Sequence, residues 1–102
     1  MTNDILSLLG LARKARRLEA GEEPVSAALL AGKATLCMAA SDSSENTKRR
    51  TAQWAESAGV KFIELDFTKE ELGGAIGRGL CAVAVLTDRG FTDSLLRKLS
   101  SQ

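Results

Sequence analysis

The residues that could do chemistry are few, and their types narrow the function before any fold is considered. The sequence contains no histidine and no tyrosine. That removes the side chain most used as a general base near neutral pH and the usual phenolic acid. The two cysteines, Cys37 and Cys81, lie inside the apolar runs Leu36-Cys-Met-Ala39 and Leu80-Cys-Ala-Val83. Neither has a second ligand at metal-binding spacing, so both read as buried structural thiols. No nucleophile and base fall into a recognisable pair. The expectation is a protein that is not an enzyme and holds neither a metal nor a cofactor.

Glycines make the next candidate. The string Leu72-Gly-Gly-Ala-Ile-Gly-Arg-Gly79 has the composition of a phosphate loop. A dinucleotide fingerprint, however, follows a strand and opens a helix, whereas these glycines fall inside and after one. In the structural reading, Gly73 and Gly74 allow close helix packing, and Gly77 and Gly79 end the helix in a tight turn. In the functional reading they form the base of a ligand-contacting loop.

The cations fall in two clusters. Arg13, Lys14, Arg16 and Arg17 close the first predicted helix, where the negative end of the helix dipole favours them with or without a ligand. Lys48-Arg49-Arg50 lies early in the third, where Glu45 and Arg49 stand four apart and read as a pair on a solvated face. With 14 Lys and Arg against 13 Asp and Glu the formal charge is +1. Nucleic-acid affinity would therefore depend on where charges are placed, since there is no bulk excess of them.

The elements that must position these groups follow from periodicity. A chain of 102 residues, 44% of them hydrophobic, suits one core, and a single domain spanning 1–102 is expected. Ile5, Leu8, Leu9, Ala12 and Ala15 share one face of a helix over 4–16. After a short link at Leu18–Ala20, Gly21 opens a second helix with Glu22, Glu23 and Pro24 in its first turn, which runs to Gly32. That helix is apolar nearly all round and is expected to be deeply packed. Thr35–Ala40 reads as a strand covered on both faces. Asp42 and Glu45 make a capping-box pattern for a third helix, with Thr47, Thr51, Trp54, Ala55 and Ala58 facing inward. Trp54 reads as core. Val60–Leu65 reads as a strand, and Thr68 with Glu71 boxes a short helix. A strand over about Cys81–Leu86 follows. Asp88 caps a last helix with Phe91, Leu95 and Leu99 inward, after which the chain is expected to fray at Ser100-Ser-Gln102.

Alternating strands and helices over the last seventy residues imply parallel neighbours in a three-layer α/β/α sandwich. No apolar run approaches the roughly 20 residues that cross a bilayer, and Met1-Thr-Asn-Asp4 lacks a positive leader, so a cytoplasmic location is expected.

Read end to end, Leu8-Leu-Gly-Leu-Ala-Arg-Lys-Ala15, Gly21-Glu-Glu23, Gly32-Lys-Ala34, Asp42-Ser-Ser-Glu-Asn-Thr-Lys48, Leu72-Gly-Gly-Ala-Ile-Gly77 and Val85-Leu-Thr-Asp-Arg-Gly-Phe91 resemble the YlxQ-like proteins. These are the bacterial branch of the kink-turn-binding ribosomal protein family. The resemblance implies an α/β fold whose mixed four-stranded sheet takes Leu18–Ala20 as an antiparallel first strand. It also implies binding of a sharply kinked RNA duplex by the start of the second helix, Gly21 to Ala27, and by the loop Arg78 to Cys81. Helix-start amides would meet phosphates there, and Leu80 would pack on flipped-out bases.

The family motif runs Gly, any residue, Asn, Glu, two residues, Lys. Here Glu23 replaces the Asn, Pro24 the Glu and Ala27 the Lys, which turns a donor and acceptor into a pure acceptor and removes a phosphate-facing ammonium. The residues expected at the RNA are Gly21, Glu22, Glu23, Gly79 and Leu80, with Arg16, Arg17, Lys33 and Arg78 as compensating cations. The expected partner is structured RNA, ribosomal or other, bound by a monomer, with room for a protein partner in a ribonucleoprotein. The alternative is a protein-interaction module that keeps the fold without the RNA site; a small-ligand binder using Gly77 to Gly79 ranks behind both.

Overall fold

Asn3 opens the first helix by accepting from the amides of Ile5 at 2.9 Å and Leu6 at 3.3 Å, a cap worth about 1 kcal/mol. In the computed structural model, which describes residues 3–101, this helix is α1 (Asp4–Lys14), with Ile5, Leu9 and Ala12 buried. Met1, Thr2 and Gln102, on which part of the leader and fraying readings rests, lie outside the described residues, whereas the fraying expected at Ser100 and Ser101 is not seen: the last helix includes Ser100, and the Ser101 amide donates to Arg97 O at 3.2 Å. The helix stops short of Arg16. The amide of Arg16 donates to Arg13 O at 3.0 Å and that of Arg17 to Ala12 O at 2.8 Å, the double bond of a Schellman ending. Arg16 takes the left-handed position at φ +60°, so Arg16 and Arg17 leave the helix axis and Ala15 is exposed.

The elements that follow are β1 (Leu18–Ala20), α2 (Glu22–Leu30), β2 (Leu36–Ala39), α3 (Glu45–Ser57), β3 (Phe62–Glu64), α4 (Lys69–Ala75), β4 (Val83–Leu86) and α5 (Arg89–Ser100). Two predicted caps are present. Thr68 and Glu71 exchange both capping-box bonds, and Asp88 Oδ2 accepts from Phe91 N at 2.9 Å. The box predicted at Asp42 is not: Ser44 caps α3, accepting from Thr47 N at 3.1 Å. The Asp42 carboxylate is engaged elsewhere, by the amide of Lys69 at 2.8 Å. Glu45 pairs with Lys48 at 3.9 Å, and Arg49 donates to Asn46, so the expected Glu45–Arg49 pair does not form.

The sheet order is β1-β4-β2-β3. β2 and β3 run parallel, and β4 runs antiparallel to both of its neighbours, β1 and β2. The mixed sheet implied by the family resemblance is thus present, while the all-parallel arrangement suggested by alternation alone is corrected. The reason lies in the α4 connection. Ser41 N donates to Phe67 O, Ala40 N to Ala82 O, and Cys81 N to Lys69 O. The chain therefore returns to the sheet at the end where it left β3, and β4 must run back the other way.

Period-two alternation along the central strands sends side chains into two cores. Leu36, Met38, Ala84 and Leu86 pack with α1, α4 and α5 around Ile5, Leu9 and Leu95. Cys37, Ala39, Val83 and Val85 pack with α2 and α3 around Val25, Leu29 and Ala55. α2 departs from its expected deep packing: Val25, Ala28 and Leu29 are buried, but Pro24, Ala27, Leu30 and Ala31 face outward, with Leu30 87% exposed. Edge strand β1 leaves the outer side of α2 without a neighbour.

Candidate nucleic-acid interface

The start of α2 is built on Gly21. At φ +100° and ψ 157° it occupies backbone space essentially restricted to glycine. Its amide donates to Val83 O at 3.0 Å and its carbonyl accepts from Val25 N at 3.0 Å, so one residue ends the strand pairing and begins the helix. No side chain caps α2. Pro24 brings no amide to the first turn, so the two amides left without an intrahelical partner are those of Glu22 and Glu23, a pair of donors of the kind that receives anions.

The loop after α4 is fastened beside this turn. Arg78 Nη1 donates to Ala20 O at 3.1 Å, and a methyl group placed on Gly21 would sit 3.6 Å from the same nitrogen. The guanidinium thus lies against the bare α-carbon of Gly21. The loop presents Leu80 with 59% of its surface exposed, though a leucine of this size is ordinarily covered. Arg78 therefore joins the loop after α4 to the turn at Ala20 and Gly21 that opens α2.

The glycine string divides between its two readings. A Cβ on Gly73 would lie 2.5 Å from Gly79 O and 2.8 Å from Arg78 O. Gly73 is needed because the returning loop rests directly on α4. Gly77, at φ +79°, makes the turn out of the helix. Gly74 and Gly79 face open space, so neither the packing role expected of Gly74 nor a turn role for Gly79 is seen. Where α4 does pack closely on a helix, the small residue is Gly10 of α1, whose Cβ would lie 2.8 Å from Ala75 O.

Arg16, Arg17 and Lys33 fall on the other side of α2. They line one groove of about 660 Å³ together with Pro24 and Ala27. None of the three has an ion-pair partner among the described residues. The position that lacks the family's lysine is thereby flanked by three free cations.

A model of the ribosomal protein L7Ae/L30e/S12e/Gadd45 family matches residues 3–95. The chain belongs to this family. It is 30% identical over 92 residues to the RNA-binding protein YlxQ of Bacillus subtilis (strain 168), covering 90% of this chain and 91% of that one. It is 34% identical over 86 residues to the RNA-binding protein YlxQ of Enterococcus faecium, covering 84% and 82%. Among solved structures, a protein with unknown function from Bacillus halodurans C superposes with a TM-score of 0.89 at 33% identity, over 97% of this chain and 99% of that one. The Giardia lamblia 15.5kD RNA binding protein superposes with a TM-score of 0.75 over 99% and 92%. At 17% identity that likeness speaks for the L7Ae-type fold alone.

Within this L7Ae-family frame the structure gives one member of the Lys48-Arg49-Arg50 cluster a partner that sequence spacing did not reveal. Arg50 of α3, assigned to a solvated face, reaches across to α2. Its Nε donates to Glu22 Oε1 at 2.9 Å, its Nη2 bonds the same oxygen, and its guanidinium lies over Trp54 at 5.9 Å from the ring centre. Arg50 offsets one of the two negative charges at the helix start. Trp54, expected in the core, is half-buried beneath it. Lys48 is likewise engaged, donating to Glu64 Oε1 at 2.6 Å and Ser41 O at 2.9 Å, and the Glu64 carboxylate holds its ammonium above its usual pKa.

Proposed function

We propose that this chain is a non-catalytic RNA-binding protein, one domain of residues 1–102, acting in the cytoplasm as a monomer on structured RNA of the kinked-duplex kind, ribosomal RNA among the candidates. Its YlxQ relatives are named as RNA-binding proteins, and among the described residues no helix is long and apolar enough to cross a membrane. The observation that carries the reading is one juxtaposition: the uncapped start of α2 beside a loop that Arg78 pins to Ala20 and that presents Leu80 to solvent. Amides and cations would hold backbone phosphates, and Leu80 would cover an unstacked base.

The experiment is a titration of labelled kink-turn RNA against an unkinked duplex of equal length near 0.1 M salt, where screening acts beyond about 10 Å. Tighter binding to the kinked RNA is expected. In Arg17→Ala and Lys33→Ala the slope of log affinity against log salt should flatten by about 0.7–0.9 for every phosphate that is no longer neutralised. Equal binding of both RNAs would defeat recognition of the kink, and unchanged slopes would remove Arg17 and Lys33 from the site.

One observation favours a second reading, a protein partner on the α2–α3 face. Leu30 projects from α2 beside a cavity of about 310 Å³ that Leu29 and Trp54 help to line, an apolar patch of the sort that marks contact surfaces. A specific partner whose capture survives nuclease treatment and is abolished in Leu30→Glu would support it.

A further inference from the structure

The groove beside α2 contains a group that phosphate binding does not use. Its cations are Arg16, Arg17 and Lys33, its apolar wall is made by Ala27 and Ala31, and Glu19 stands among them. Alternation along β1 buries Leu18 and Ala20 and turns Glu19 outward, on the side of the sheet where α2 packs. None of the four charged side chains has an ion-pair partner among the described residues. A site for phosphate alone would gain nothing from a carboxylate, which can only accept hydrogen bonds and repels the anion. The combination suits a ligand that carries both a negative charge and a pair of adjacent N–H donors.

Among the RNA bases, guanine has that edge, with its ring N1–H beside an exocyclic amine. Adenine and cytosine place a ring acceptor next to the amine, which would face the carboxylate lone pairs, and uracil sets its N–H between two carbonyls. The volume of the groove is within the range of small-ligand sites. We infer that it binds one unpaired guanine nucleotide of the RNA: phosphate on Arg16, Arg17 and Lys33, the base against Ala27 and Ala31, and the Watson–Crick edge on Glu19. This deepens the RNA-binding reading and gives Ala27 a purpose. A lysine there would add a fourth cation to the groove that Glu19 lines, whereas alanine keeps that part of the wall small and apolar.

The test uses the full chain, isotope-labelled, titrated by NMR with GMP, IMP and AMP up to about 10 mM, the range in which millimolar sites saturate. Saturable shifts at Glu19, Thr87 and Lys33 are expected with GMP. IMP, which lacks the exocyclic amine, should bind several-fold more weakly, and AMP about tenfold more weakly or worse, in keeping with a bidentate base contact. Glu19→Gln should erase the preference for GMP while retaining binding, and Lys33→Ala should weaken all three nucleotides alike. Equal affinities, a preference that survives Glu19→Gln, or no saturable shift with GMP would each overturn the inference. Kink-turn RNA titrated in parallel separates the two ideas. Intact preference for kinked RNA without GMP selectivity removes the guanine site alone, and GMP selectivity without that preference removes the kink-turn reading alone.

Discussion

Arg16 holds φ +60°, a conformation that costs a residue with a β-carbon roughly 1–2 kcal/mol and that glycine adopts freely. Helices that end this way ordinarily carry glycine at that position, so an arginine there gives up stability and gains a cation at the groove. Arg16→Gly should therefore raise the stability measured by urea unfolding, by about 0.5–1 kcal/mol, while weakening RNA binding; a variant no more stable than the parent, or one that binds RNA equally well, would argue against this exchange. Thr51 is another residue kept against its own preference. It is fully buried in α3, and among the described residues its hydroxyl has no hydrogen-bond partner, which leaves a desolvation penalty uncompensated. Thr51→Val removes the hydroxyl at nearly constant shape and is expected to be neutral or stabilising by about 1 kcal/mol. A clear loss in the same unfolding assay would mean that the hydroxyl has a partner after all. Much at this scale could be read from sequence: Asp88, and Thr68 with Glu71, cap their helices because both partners of each bond lie within three residues. Asp42 and Arg50 could not be read that way. Asp42 is taken by the Lys69 amide, and Arg50 pairs with Glu22, contacts that exist only once distant segments have been brought together.

The element that decides the candidate interface is α4 with the loop folded back on it. Gly73 and Gly74 are neighbours of identical chemistry in sequence, yet the loop rests on the first and the second faces solvent. Gly73→Ala should force the Arg78–Leu80 segment outward, with a loss of about 1–3 kcal/mol typical of overpacking, and lower affinity for kinked RNA. Gly74→Ala should stabilise the helix by up to about 1 kcal/mol and leave binding unchanged. If both variants behave alike in unfolding and in RNA titration, the close approach at Gly73 does not set the loop. The predicted helices were present with ends shifted by a few residues, because apolar spacing is a local property. The outward face of α2 was hidden for the opposite reason: Pro24, Ala27, Leu30 and Ala31 are as apolar as the buried residues between them, and only the position of the helix over edge strand β1 shows that they have no cover.

For the molecule as a whole, both buried thiols and Lys48 point to the same alkaline limit. Burial pushes Cys37 from its ordinary 9.0 up to about 12 and raises Cys81 as well. Above pH 9 the unfolded chain gives up these protons while the folded chain keeps them, so stability falls as pH rises from about 9 towards 12. The ammonium of Lys48, raised by Glu64, adds a contribution fully present below its ordinary 10.5 and lost as pH rises through its higher folded value. Urea midpoints should be level between pH 7 and 8.5 and drop by pH 10, and Cys37→Ala should drop less steeply; a flat profile to pH 11 would count against the buried thiols. The order of strands in the sheet also bears on how the chain is made. Among the described residues β4, a central strand, comes last in the order of the four strands, and β1, which comes first, pairs with β4 alone. A nascent chain emerging from its amino end therefore carries Leu18, Ala20 and the inner face of α1 without a completed sheet until residues 83–86 are out. Completion of the sheet must wait until residues 83–86 have been translated, so a chain arrested in the α4 loop should leave β1 and the inner face of α1 open to protease.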